Sequence, residues 1–340
     1  MEQHRRKILK IYEQLAPTRI SLQSGSQNTS GDLPPPAEEE VQSSVVMVCQ
    51  SWTIYEQAKY ATPAGWKDVF QQAGPALQLI TANLAQYSVW YPAKEDVFAA
   101  FHYTPLNSVK VVIVGQDPYP QGQAMGLSFS VKRGAPIPSS LANIFRELKN
   151  NYPEFSYRDG DLTKWAKSGV LLLNKCLTVS PGQPNSHEKV GWMGLISVVV
   201  RAITETKPNT IFLLWGNDAK QIASLLPEKV RRLTAPHPSG RSANLGFFGC
   251  GHFKEVNRML TSKNRAYLHQ LIQHWVLLRP GLQLQGKKWQ QMLEDTMFAE
   301  VYLELEKISP DPEVKGESEI VQSFKDWLLY TQSEMVDWKL

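Results

Sequence analysis

The chain has 340 residues, of which 42% are hydrophobic and 20% charged, a globular composition with ample material for one large domain with extensions or for two ordinary ones. Cys49, Cys176 and Cys250 lie far apart and form no Cys-x-x-Cys pair, which excludes a disulfide scaffold and a four-cysteine zinc or iron–sulfur site. No apolar run approaches the ~20 residues of a membrane-spanning helix, and the first residues do not read as a secretory signal. The net charge of +4 is unevenly spread. Residues 1–279 carry 30 Lys and Arg against 20 Asp and Glu, whereas residues 280–340 carry 6 against 12. A basic body with an acidic tail is a weak pointer to a polyanionic partner.

Residues 1–16 are expected to form a short basic amphipathic helix, with Ile8, Leu9, Ile11, Tyr12 and Leu15 near helical spacing. Residues 17–44, rich in Ser, Gln, Gly and Pro, cannot bury enough apolar surface to offset their ordering entropy and read as a flexible linker. From about 63 to 260 the pattern alternates. Apolar runs at 109–114, 169–173, 210–215 and 229–233 predict strands, and 140–150, 192–206 and 217–225 predict helices between them. That alternation implies an α/β fold, with a central four-stranded, mostly parallel sheet flanked by helices. Residues 262–335 read as a helical insertion, with one helix over 286–306 and another over 320–330, before a short tail at 336–340.

Ligands of such sheets bind beyond the carboxyl ends of the strands. The first strand runs into Gln116-Asp117-Pro118-Tyr119-Pro120 and the second into Asn174. The third runs into Gly216-Asn217 and the fourth into Pro236-His237-Pro238-Ser239. Taken singly, each has an ordinary explanation. Asp-Pro-Tyr after a strand is a turn, Phe129 is core, Asn174 a turn residue, and a histidine between prolines a structural one. His102, His187, His269 and His274 have no functional case, and His252 is expected to order a loop near a helix start. No metal-ligand spacing such as His-Glu-x-x-His occurs.

Taken together, the motifs are recognisable. Gly115-Gln116-Asp117-Pro118-Tyr119, Gly126-Leu127-Ser128-Phe129-Ser130, Leu171-Leu172-Leu173-Asn174, Asn185-Ser186-His187, Leu214-Trp215-Gly216, His237-Pro238-Ser239 and Gly246-Phe247-Phe248-Gly249-Cys250 occur in this order. In order and spacing they resemble the uracil-DNA glycosylases of the first, uracil-specific family, over about residues 63–260. Asp337-Trp338 resembles that family's C-terminal tail. The resemblance implies hydrolysis of the N-glycosidic bond of deoxyuridine in DNA, releasing uracil and leaving an abasic site for base-excision repair, with no cofactor and no metal. Asp117 matches the carboxylate that balances the sugar cation and handles water, and His237 the donor to uracil O2. Backbone N–H groups around Gln116 assist. Asn174 matches the amide that reads N3 and O4, Tyr119 the block against a C5 methyl, and Phe129 the stacking platform.

By the same resemblance Ser140, Asn217, Ser239, Arg241 and Ser242 contact DNA, although Ser139 and Ser140 could equally cap the helix that follows them. Three positions depart from the family pattern. Pro120 stands where most members have His, Asn217 where Ser is usual, and Arg241 replaces the leucine that wedges into the duplex. Asn244 and Leu245 also differ, as if the basic residue of that loop had moved. Expected partners are single- and double-stranded DNA containing uracil, and a replication or repair protein engaging residues 1–16 or 262–335. The chain is expected to act as a monomer inside the cell, away from membranes, at the nucleus or a viral replication site rather than in the mitochondrion. Two other readings are weaker. A DNA-binding adaptor that keeps the fold is disfavoured by the joint retention of Asp117, Asn174 and His237. A thymine-acting mismatch glycosylase is disfavoured by Tyr119 and Asn174.

Overall fold

Three five-residue runs, Val-Val-Ile-Val-Gly, Val-Leu-Leu-Leu-Asn and Ile-Phe-Leu-Leu-Trp, are buried at every position, as strands covered on both faces must be. In the computed structural model, which describes residues 52–262, 317–336 and Trp338, they form the inner part of a four-stranded sheet. The helix expected over 1–16, the linker over 17–44 and the helix over 286–306 lie outside the described residues.

Among the described residues, helices α1 (Ile54–Tyr60), α2 (Lys67–Gln72), α3 (Gly74–Leu84) and α4 (Ala99–Tyr103) precede strand β1 (Val111–Gly115). Then come α5 (Ser139–Asn151), α6 (Thr163–Lys167), β2 (Val170–Asn174), α7 (Trp192–Thr206), β3 (Ile211–Trp215), α8 (Gly216–Lys220) and β4 (Arg232–Ala235). The strand order is β2-β1-β3-β4 and every pairing is parallel. The helices have plain causes. A capping box at Thr53 and Glu56 starts α1. Along α7, Trp192, Leu195, Ile196, Val199, Val200 and Ile203 recur every three or four residues and are buried, giving one continuous apolar face.

Two elements differ from expectation. The strand predicted over 229–233 is displaced to β4 because Val230 closes a turn, its N–H donating to Pro227 O at 3.0 Å. The ladder with β3 starts only at Phe212↔Arg232. As the edge strand, β4 leaves Arg232 and Thr234 exposed, which guards its open side. The helix predicted over 217–225 starts one residue earlier and tightens into a 3₁₀ helix at Gln221–Leu225. The helices expected at 140–150 and 192–206 are α5 and α7.

The chain divides into two units. The first runs to Gly251 and includes Trp338, whose carbonyl accepts the Trp165 indole N–H at 2.9 Å while the two rings meet edge to face. The second begins at His252 and contains α9 (His252–Leu260) and α10 (Glu317–Glu334), the latter longer than the 320–330 expected. Within it the Asn257 side chain exchanges two hydrogen bonds with the backbone of Val336. No helix among the described residues is long and apolar enough to cross a membrane.

Candidate active site

The strand register decides what gathers at the sheet's carboxyl edge. Gly115 pairs with Asn174 and Trp215 with Ala235, so all four strands finish almost level. Gln116-Asp117, Asn174, Gly216-Asn217 and Pro236-His237 therefore emerge side by side. Gly115 permits the closest approach, since a Cβ there would collide with Asn174 Oδ1 and Ser128 Cβ. Ser128 is itself pinned across the strand ends, its N–H donating to Leu172 O at 3.0 Å and its hydroxyl to Ile113 O at 3.2 Å.

That pinning carries Phe129 into the site. Its φ of 61° is left-handed, a conformation costing a non-glycine residue about 1–3 kcal/mol. The Phe129 ring lies 5.8 Å from the His237 ring and 5.8 Å from Trp215, and its carbonyl accepts the Tyr119 hydroxyl at 3.3 Å. Burial raises the Tyr119 phenol, which stays protonated. Phe129, Tyr119 and His237 thus form one contiguous wall, with Asn174 buried at the end of β2.

Asp117 is half-buried, with both carboxylate oxygens engaged. Oδ2 accepts the Asn185 backbone N–H at 2.6 Å, and Oδ1 accepts Gln116 Nε2 at 2.9 Å. Burial raises its pKa above the ordinary carboxylate value, and the two donors pull it back. His237 is set the opposite way. Burial lowers its pKa, against a smaller upward pull from Asp218. Its Nδ1 accepts the Ser239 N–H at 3.0 Å, so the neutral ring carries its proton on Nε2, a donor. Gly216, at φ 88°, lies directly against this ring, where a Cβ would come within 2.8 Å of His237 Cβ.

The loop after His237 is self-bracing. Ser242 Oγ donates to His237 O at 2.7 Å and lies 2.9 Å from Ser239 Oγ, while Asn143 Nδ2 on α5 holds Pro238 O at 2.7 Å. Glu147, fully buried on α5, accepts the N–H groups of Gly249 and Gly251 and anchors the loop's far end. Ser140 sits half-buried in the first turn of α5. The N-cap there is Pro138 and no side chain caps the helix, so capping does not occupy the Ser139 or Ser140 hydroxyl. Asn217 and Arg241 are exposed.

Two residues, Asn185 and Lys175, escaped the sequence reading as parts of this site, and His187 braces the segment between them. Asn185, at φ 64°, supplies the N–H that holds Asp117, and the Asn-Ser-His run was its only signal. His187 has Nδ1 2.8 Å from Thr178 Oγ1 and Nε2 3.0 Å from Ser180 Oγ, and burial pushes its pKa down to about 4. Lys175, next to Asn174, is buried with its ammonium bound to Asp218, Glu188 and Gln221.

Comparisons with known proteins place the chain in a family. Residues 101–261 match the model of the uracil DNA glycosylase superfamily. The uracil-DNA glycosylase of Proteus mirabilis is 45% identical over 213 residues, 60% of this chain and 94% of that protein. The chain belongs to the uracil-DNA glycosylases. The Shewanella oneidensis member is 48% identical over 203 residues, 58% of this chain and 93% of that one. The crystal structure of mimivirus uracil-DNA glycosylase aligns with a TM-score of 0.54 at 27% identity, covering 59% of this chain and 83% of that one. The structure locates two of the positions at which this glycosylase was expected to depart from the family pattern. Pro120 is buried and its carbonyl accepts the Gly182 N–H at 2.9 Å. Leu245, four residues after Arg241, is 75% exposed. Among the described residues no group of three His, Cys, Asp or Glu side chains could hold a metal ion.

Proposed function

We propose that this chain releases uracil from DNA by hydrolysing the N-glycosidic bond, leaving an abasic site, with Asp117 and His237 as its catalytic residues. The observation that carries this reading is the opposed setting of the two groups at one sheet edge. One is a carboxylate held by two N–H donors, the other a neutral imidazole whose free nitrogen is a donor.

The chemistry follows from those settings. A base within a duplex is out of reach, so the nucleotide is turned out into the pocket between Phe129, Tyr119 and Asn174. As the bond breaks, positive charge develops on the sugar and negative charge on the departing uracil. The Asp117 carboxylate stabilises the first and orients the attacking water. His237 Nε2–H hydrogen-bonds to O2 and stabilises the second, as an oxyanion hole does, assisted by backbone N–H groups around Gln116. Being neutral, the imidazole adds no cation that would oppose the sugar's charge.

Selectivity rests on three side chains. The Asn174 amide accepts from N3–H and donates to O4, and its seat over Gly115 supports a fixed orientation. Tyr119, tied by its hydroxyl to Phe129 O, closes the space a C5 methyl would need. Phe129 stacks on the base. No amine nucleophile takes part: the Lys175 ammonium stays protonated among its acceptors, so the enzyme hydrolyses without forming a Schiff base.

Ser140, Asn217, Ser239 and Ser242 contact the DNA backbone, small polar groups suited to close approach to phosphates, and Arg241 takes the wedge position. The acidic balance of residues 280–340 favours a protein over DNA as the partner of the insertion, so a replication or repair protein is assigned there, with action at the nucleus or a viral replication site. The test is release of uracil from a labelled single-stranded oligonucleotide without added metal, compared with Asp117→Asn. No release by folded protein would return the adaptor reading.

A further inference from the structure

We propose that Lys175 is a positioning residue for uracil excision, its buried ammonium tying the three segments that hold Asn174, the partner of Asp117 and the seat of His237 into one rigid block. This rests on the function proposed above.

Lys175 directly follows Asn174 and extends the sheet past the end of β2, its backbone N–H donating to Gly115 O at 2.8 Å. The next residue repeats the clamp, Cys176 N–H reaching Gln116 O at 2.9 Å, immediately beside Asp117. The side chain is 1% exposed, and an ammonium has three hydrogens to place. Three acceptors receive them, each from a segment that matters. Asp218 Oδ1, at 2.8 Å, and Gln221 Oε1, at 3.3 Å, belong to α8 and the 3₁₀ turn after it. That helix begins at Gly216, against the His237 ring. Glu188 Oε1, at 3.3 Å, opens the turn that follows Asn185-Ser186-His187, whose Asn185 N–H holds Asp117. Each contact runs between segments distant in the chain, so none is a by-product of local helix geometry.

The charges point the same way. Burial draws the lysine's pKa down, but Asp218 and Glu188 outweigh it and keep the ammonium charged. Asp218 raises the pKa of both Asp117 and His237, whereas Lys175 lowers that of Asp117. Two charged groups act on Asp117, Asp218 upward and Lys175 downward, and the Cys176 thiol feels Asp117 in turn. Without the lysine, the Asp218 carboxylate acts unopposed on a catalytic carboxylate that must ionise.

The experiment compares wild type, Lys175→Met, Asp218→Asn and the double variant on single-stranded uracil DNA across pH. In Lys175→Met kcat is expected to fall about tenfold or more while KM changes far less, because geometry rather than substrate contact is lost. The acidic limb of its rate profile moves to higher pH. Asp218→Asn moves that limb to lower pH. In the double variant the limb returns toward wild type while kcat stays low, which separates the tie from the charge. A folded Lys175→Met protein with wild-type kcat and profile overturns the proposal, as does a double variant that regains full kcat. Should Lys175→Met not fold, an unmoved limb in Asp218→Asn overturns it. If wild type itself releases no uracil, the uracil reading fails. Carbon-13 titration of the Asp117 carboxyl then decides, an upward shift in Lys175→Met supporting the role of Lys175 and an unchanged titration refuting it.

Discussion

Asp117 and His237 occupy matching places, just beyond β1 and beyond β4, and both are half-buried. Burial disfavours charge at each, so it pushes both toward neutrality. Each also accepts one backbone N–H, with opposite consequences, beside the Gln116 amide that serves Asp117. At Asp117 the Asn185 N–H meets an oxygen and supports the anion, whereas at His237 the Ser239 N–H meets Nδ1 and supports the neutral ring. One kind of donor thus holds one group charged and its neighbour uncharged.

Breaking the pair at Asp117 should have the largest effect. Asp117→Asn is expected to lower single-turnover excision about 10³-fold while DNA affinity stays nearly constant. Its melting temperature at neutral pH should hold or rise. A carboxyl whose folded pKa is raised contributes stability that is full below its unfolded pKa of 3.8 and lost as pH climbs through the folded value. A stability loss matching the activity loss would show that Asp117 is structural. His237→Ala should cost about 10²- to 10³-fold, the usual worth of one oxyanion donor, and parallel losses in binding would count against that role.

Selectivity probes the wall between them. Tyr119→Ala should admit the C5 methyl, so that slow thymine release becomes measurable and the preference for uracil narrows by about 10- to 200-fold. A variant that stays strictly uracil-specific would place the steric block elsewhere.

His187 gives a smaller, purely structural effect. Its folded pKa of about 4 lies below the ordinary 6.5, so its contribution is whole above pH 6.5 and disappears as pH falls toward 4. Melting temperature should decline across that window, and His187→Asn should flatten the decline. The smallest effect concerns the loop beyond His237. Arg241→Leu should reduce the salt slope of duplex binding by about one phosphate-equivalent and leave single-strand cleavage almost unchanged. An unchanged slope with a large single-strand loss would remove Arg241 from the wedge position.

The inner strands were readable from the chain because continuous apolar runs have few other uses: β2 and β3 fall within one residue of expectation and β1 within two. β4 was displaced because an edge strand is set by its partner's ladder, and Val230 offered an apolar decoy in the preceding turn. Asp117, Asn174 and His237 were nameable because strand ends announce themselves. Asn185 and Lys175 were not, since both act through contacts remote in sequence: a backbone N–H has no letter of its own, and a lysine reads as surface. The hydroxyls of Ser239 and Ser242 turned out to brace each other and the His237 carbonyl, a duty the motif does not reveal.

Trp338 gives the architecture a temporal dimension. Its carbonyl and ring pack on Trp165 in the first unit, yet the ribosome makes it only after the whole of the second. While the second unit is being synthesised, the hydrogen bond and the edge-to-face contact that Trp338 gives Trp165 are not yet made. Domains that fold as they emerge can usually close one after another, but here the first keeps a place open for a late arrival.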